Sequence, residues 1–295
     1  MHSYYKAIGF SKLKTRFELD LLTKDIVNNP TTKIISSISH DTKLVQLFKE
    51  YSMDSLHSVG ISVVGELDKF NEFHLEHSFP YAIPSVTMTQ NEITFEKKKD
   101  IEAFSGICED INLGVSLIFH LQNIADYVKT TWSNSHISNL NTVSLSALSL
   151  SGKVLLEISK SKRQKQNEEA IRQNRNNLIA AARSGDINAI ESLTLDDMDT
   201  YTIISKRSKS EDVLSIVDTY VIPYGIDYEQ YSVLGIIQSV DTITNSYTGE
   251  TLYSLLVECN NISMQIVIHS DDLLGEPKPG RRFKGIIWLQ GIVSM

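Results

Sequence analysis

The stretch that most limits how this chain can fold runs from Lys160 to Asn177 and reads KSKRQKQNEEAIRQNRNN. It holds good helix formers, no Gly or Pro, and only Ala170 and Ile171 as apolar residues. A helix polar on every side has no face to bury, so it spans solvent between folded parts or frays. The pattern turns apolar at Leu178-Ile-Ala-Ala-Ala182 and stops at Gly185, a residue suited to ending a helix in the left-handed conformation. The spacing therefore predicts three parts: an α+β domain over 1–159, a polar basic connecting helix over 160–187, and a domain of short helices plus a small β-barrel over 188–295.

Charge sets the same stretch apart. Lys160 to Arg183 carries seven Lys or Arg against Glu168 and Glu169, a net +5 in a chain of net −8. A basic rod between two acidic bodies is the main electrostatic feature. Lys162, Lys165, Arg172 and Arg175 are its candidate binding residues, yet at ~100° per residue they cover a broad sector and form no stripe. An acidic protein with a dispersed basic helix favours a protein partner and disfavours nucleic acid.

At 295 residues with 41% hydrophobic content, the chain can bury a sizeable core. Cys108 and Cys259 belong to no CxxC or Cys/His quartet, which argues against a disulfide framework or a structural zinc. No run approaches the ~18 apolar residues of a membrane span, and MHSYYKAIGFSKLK lacks the apolar core of a signal peptide. A cytoplasmic protein without membrane attachment is expected.

In the first part, Ser11 to Asn29 reads as a helix with two apolar stripes, both covered. A second helix is expected after Asp41, where Leu44, Leu47, Phe48 and Tyr51 follow helical spacing. Alternation then predicts antiparallel strands around 61–67, 73–79 and 93–95. A helix is expected over 100–111 on Ile101, Phe104, Cys108 and Ile111, followed by a strand at 115–121 and a short helix at 124–132. A hairpin of 142–150 and 153–158 would turn at Ser151-Gly152, with a bulge near Ala147 where parity slips. In the last part, Asp186 caps one helix and Thr194 opens another. Strands are expected at 213–222, 231–240, 251–259, 262–268 and 282–293, forming an OB-like or SH3-like barrel.

Motifs of specific chemistry are scarce. His74-Leu-Glu-His77, with Glu72 and Glu76 beside it, has metal-like spacing, but on a strand the two histidines fall on opposite faces, so no metal site is expected. GEPKPGRRFKG at 275–285 lacks the phosphate-loop pattern, and its prolines remove amide donors. No cofactor is expected. Arg281, Arg282, Lys284 and Trp288 place three cations and an aromatic in one strand, the composition of a single-strand nucleic-acid platform. The net −5 from Asp218 to Met295 opposes that use. Cys108, His120 and the Glu109-Asp110 pair are the residue types of a nucleophile and its base, but Cys108 lies on an apolar face, where a structural thiol is the simpler expectation.

AIGFSKLK, SGICEDINLGVSLIFHLQN, SEDVLSIVDTYVIPYGIDYEQYSVLG and GRRFKGIIWLQG resemble an uncharacterised clostridial-type Firmicutes family catalogued as a domain of unknown function. The resemblance spans the full chain and implies a bacterial cytoplasmic protein; it assigns no catalytic residue, cofactor or substrate. The leading expectation is a non-enzymatic binding or scaffold protein engaging a macromolecular partner. The alternatives are a nucleic-acid-associated regulator using the basic helix and the barrel, and an enzyme centred on Cys108 and His120.

Overall fold

The computed structural model describes residues 3–37, 42–52, 58–86, 93–99, 102–109, 116–133, 142–158, 162–207, 209–210, 212–260 and 262–294. A 3-10 turn at Ser3–Ile8 leads into α1 (Arg16–Asn28). Thr15 starts α1 by accepting the Glu18 amide, while the Glu18 carboxylate takes the Thr15 amide, a capping box that fixes the first turn. Strands β1 (Thr32–Ser37), β2 (Lys43–Glu50), β3 (Val59–Leu67) and β4 (Phe73–Ala82) then form an antiparallel meander in that order. Next come β5 (Ile93–Lys97), β6 (Phe104–Glu109), β7 (Ser116–Leu121), α2 (Ile124–Ser133) and β8 (Thr142–Leu155).

Two long helices follow, α3 (Lys162–Arg183) and α4 (Ile187–Arg207). Gly185 stands between them at φ +93°, and the Asp186 carboxylate accepts the Asn188 and Ala189 amides. The chain returns through α5 (Val213–Ile216), β9 (Tyr220–Pro223), β10 (Gln230–Thr244), β11 (Thr251–Cys259), β12 (Ile262–His269), β13 (Leu273–Leu274) and β14 (Arg282–Ser294).

Five of these strands close on themselves. β8 pairs with β12, β12 with β11, β11 with β10, β10 with β14, and β14 returns to β8. A closed ring leaves no unpaired edge among its members. β10 serves two sides, with residues 230–236 facing β14 and 236–244 facing β11, and its register breaks at Gln238. β14 also pairs with β7 through Gln290↔His120 and Gly291↔Leu121, carrying the sheet on to β6 and β5. Strands from both sides of the helical pair thus share one sheet and one hydrophobic cluster, and the fold is α+β.

Several local expectations are corrected. Residues 44–50 lie in the strand β2, not a helix, and Tyr51 follows just past its end: Leu44, Val45, Gln46 and Leu47 are all buried because both faces of this central strand are covered, and two-sided burial imitates helical spacing. Residues 104–109 are likewise the strand β6, held between β5 and β7, with Gly106 lying under the Phe119 ring. The ends of that expected helix, and Asp41, lie outside the described residues. No hairpin turns at Ser151-Gly152; β8 runs straight through, and its irregularity falls at Leu150 opposite the Ile286–Ile287 step, not at Ala147. Residues 145–149 break parity because they too are buried on both faces. Thr194 continues α4, its hydroxyl donating to the Ile190 carbonyl, and residues 213–216 are a helical turn. On α1, Phe17 and Leu21 are exposed while Leu22 and Ile26 are buried, so only one stripe is covered.

A buried amide network joins the meander to the barrel. Gln46 Nε2 donates to Ser62 Oγ and the Gln122 carbonyl, and its Oε1 accepts the Ala125 amide. Gln122 Nε2 is shared among the Ala82 carbonyl, Ser146 Oγ and Gln290 Oε1, and Gln290 Nε2 donates to the Pro80 carbonyl. Each amide is matched, so burial carries little penalty while relative position is fixed.

Candidate functional site

Beside this network lies a cleft of about 590 Å³ whose inner end is built by adjacent strands. Cross-strand pairing sets Ser105 of β6 opposite His120 of β7, and His120 opposite Gln290 of β14. Trp288 stands two residues earlier on β14 and pairs with Gln230, which places Glu229 next to it. From β4 come His77 and Phe79, and Lys98 arrives on the β5–β6 turn, where its amide donates to the Ala103 carbonyl.

Glu229 is the centre of the cluster, with only 5% of its surface exposed. Its Oε1 accepts from Ser105 Oγ at 2.7 Å and from Lys98 Nζ at 2.7 Å, and its Oε2 accepts the Trp288 indole N–H at 2.9 Å. Burial alone would raise the carboxyl's pKa, but the His120 imidazole, once acid has protonated it, and the Lys98 ammonium outweigh burial and hold Glu229 well below the usual carboxylate range. His120 Nδ1 faces the same Oε1 at 3.8 Å, beyond hydrogen-bond length. Burial pushes the imidazole pKa down, and neither ring nitrogen has a hydrogen-bond partner among the described residues. The His120 ring meets Phe79 edge-on at 4.5 Å and lies 5.1 Å from Trp288. The arrangement is a fixed carboxylate, a neutral histidine and an aromatic wall, open to solvent at a lysine-bearing mouth.

Of the residues singled out from sequence, Trp288, His120 and His77 meet in this cleft and the other described ones do not. Arg282 is buried and spans three carbonyls: Nε donates to Leu156 O, and Nη1 to Leu214 O and Val217 O. It thereby clasps both ends of the α3–α4 insertion. Trp288 serves Glu229, six residues and about 20 Å along the strand from Arg282. Arg281 Nη1 binds the Glu276 carbonyl, and Lys284 lines a shallow groove with Lys153 and Tyr224. On α3, Arg175 pairs with Asp197 of α4 at 2.8 Å, an exposed contact worth less than about 1 kcal/mol. The side chains of Lys162, Lys165 and Arg172 lie outside the described residues.

Cys108 pairs with Leu117, three positions from His120 on the same strand, so the thiol and the imidazole project from opposite faces about 10 Å apart along the strand. Asp110 and the Glu109 side chain lie outside the described residues. Asp68, Glu72 and His74 gather at the exposed β3–β4 turn, where one Asp68 oxygen takes the Phe70 and Glu72 amides and the other approaches His74 at 3.3 Å. His77 instead lines the cleft, because β4 bulges at Glu76. Glu229, Ser105 and Lys98 were missed from sequence. The only signal was polar parity on β7 (His120, Gln122) beside apolar neighbours, since their partners arrive from distant strands.

The helical pair offers a second surface. On α4, Ile187, Ile190, Met198 and Tyr201 are 76%, 48%, 63% and 75% exposed and fall within about 80° of one another around the helix. Ala189, about 100° around the helix from Ile190, is the buried position of α4 among the described residues, and Asp197, beside the exposed face, pairs with Arg175 of α3.

The chain belongs to the family described as "Domain of unknown function, E. rectale Gene description (DUF3881)", whose model matches residues 5–291. No curated protein and no solved structure matches it. Among the described residues, no helix is long and apolar enough to cross a membrane.

Proposed function

We propose that this is a non-enzymatic binding or scaffold protein whose α3–α4 hairpin engages a protein partner, and that the partner surface it fits is a second copy of itself. The observation that carries this is the uncovered apolar face of Ile187, Ile190, Met198 and Tyr201 on a hairpin tied to the barrel at its base by Arg282. Contiguous exposed apolar surface on a soluble protein marks an interaction site. Charge supports a second copy: α3 has six Lys or Arg against two Glu, whereas α4 has Glu191, Asp196, Asp197 and Asp199 against Lys206 and Arg207. An antiparallel two-fold arrangement would lay each basic α3 beside the other copy's acidic α4 and bury both apolar faces in a four-helix bundle.

The ring order supports an SH3-like over an OB-like barrel. β10–β11–β12 form a meander, long β10 turns a corner at its bulge, and the last strand sits between β8 and β10 after a 3-10 turn. On that reading the hairpin is an elongated first connection of the barrel, projecting its contact face outward.

Sedimentation velocity of the full chain tests the proposal. A dimer at micromolar concentration is expected, with Met198→Asp combined with Tyr201→Asp giving a monomer of unchanged unfolding midpoint. A wild-type monomer at high concentration refutes it. Salt-sensitive retention on single-stranded DNA that disappears when Lys162, Lys165, Arg172 and Arg175 become Gln would favour the nucleic-acid reading instead.

A further inference from the structure

The cleft around Glu229 has no part in hairpin self-association and invites its own question: what satisfies His120? A buried nitrogen acceptor left unpaired costs about 1–3 kcal/mol, so such a group is normally matched. The neighbouring carboxylate decides the tautomer. With Glu229 Oε1 facing Nδ1 at 3.8 Å, the proton belongs on Nδ1, and Nε2 is left as an acceptor without a donor. The rings beside it are Phe79, which meets the imidazole edge-on at 4.5 Å, and Trp288, tilted against it at 5.1 Å. At the mouth stand Lys97, Lys98 and Lys99; Lys97 is taken by Glu102 and Lys98 by Glu229. No described carboxylate lies within ion-pair distance of Lys99. Glu96 and Asp227 also line the rim, so the mouth is no general sink for anions and selects by position.

We infer that this cleft binds a small planar ring compound that carries a hydrogen-bond donor at its buried edge and an anionic group at its outer end. The ring packs along the wall of the cleft that Phe79 and Trp288 line, the donor meets His120 Nε2, and the anion meets Lys99. A cleft of about 590 Å³ lies within the size range of small-molecule sites. Glu229 is a positioning residue: held by Ser105, Trp288 and Lys98, it fixes the imidazole so that the acceptor, not the N–H, faces the ligand.

Three probes separate the contacts when titrated calorimetrically into the full-length protein near neutral pH: 4-hydroxybenzoate with donor and anion, benzoate with the anion alone, and 4-hydroxybenzyl alcohol with the donor alone. 4-Hydroxybenzoate should bind about tenfold more tightly than benzoate, the worth of one hydrogen bond in a buried site, and several-fold more tightly than the alcohol. Lys99→Gln, at an exposed position, should abolish the preference over the alcohol and keep the preference over benzoate. His120→Phe should do the reverse, with folding checked by circular dichroism. Equal affinity for all three probes, no saturation by about 10 mM, or an unchanged preference in Lys99→Gln would overturn the inference.

Discussion

Arg282→Met should loosen the base of the helical hairpin and lower the stability of the whole barrel. The arginine keeps only 7% of its surface exposed and donates to three carbonyls: Leu156 at 3.2 Å just before α3, and Leu214 and Val217 at 2.8 and 3.1 Å just after α4. Methionine preserves most of the apolar stem, so the loss is confined to the polar head. A hydrogen bond from a charged donor contributes ~1.5–3 kcal/mol, and one nitrogen here is shared between two carbonyls, so the net loss should be about 3–5 kcal/mol. Against a total of roughly 5–15 kcal/mol that is a large fraction. With a urea slope on the order of 3 kcal/mol/M, the unfolding midpoint should fall by about 1–1.5 M. Arg282→Lys should fall between, because an ammonium cannot span the same carbonyl arc. Limited proteolysis adds a local readout: cleavage within 156–161 or 208–217 should accelerate before the barrel strands are cut. A midpoint shift below about 0.3 M with an unchanged cleavage pattern would refute the idea that this side chain closes the insertion.

Acid should weaken the fold in two stages. His120 is held below its ordinary 6.5 and Glu229 below its ordinary 4.5, so the unfolded chain binds protons more readily in both windows. Stability should decline modestly as pH falls through 6.5 and more steeply below 4.5; urea midpoints of Glu229→Gln should show a smaller second decline, the rest coming from Glu18, Asp68 and Glu276, which are also held below their ordinary values. Gly235→Ala should cost about 2–3 kcal/mol in chemical denaturation, since a Cβ there would collide with the Cys259 and Val257 side chains and stand 2.9 Å from the Glu258 carbonyl oxygen. Truncation after Pro279 removes β14, which pairs with β7, β8 and β10, so calorimetry should show no cooperative transition; a surviving transition would mean the ring does not need its closing strand.

Local chemistry made much of this protein legible. The polar run of α3, the Gly185 stop and the Asp186 cap are written in adjacent residues, because capping and helix propensity act within one turn; α1 is legible as a helix, though it starts at Thr15 and not at Ser11. β3, β4, β11 and β12 likewise follow from alternation and the turns between them. The misread segments share one property. β2, β6 and the middle of β8 are covered on both faces or lie beneath a neighbouring ring, and such a strand is free to carry apolar residues at consecutive positions, which hides the period of two; β3 and β12 are as buried yet keep enough alternation to be read. Pairing across long sequence distances was beyond local reading altogether: β8 joins β12 and β14 over a helical insertion, and nothing in residues 142–155 names those partners. The cleft arises the same way. Trp288 and His120 stand out in the chain, each toward a different role, Ser105 and Glu229 do not stand out at all, and only strand register brings the four together. Sequence by itself determined the polar run of α3, its stop at Gly185, the Asp186 cap and which strands alternate, because those depend on neighbours a few residues apart. Tertiary structure alone decided that β8 closes the expected barrel, the Arg282 clasp and the Glu229–His120 pair, because each depends on which distant part of the chain supplies the partner.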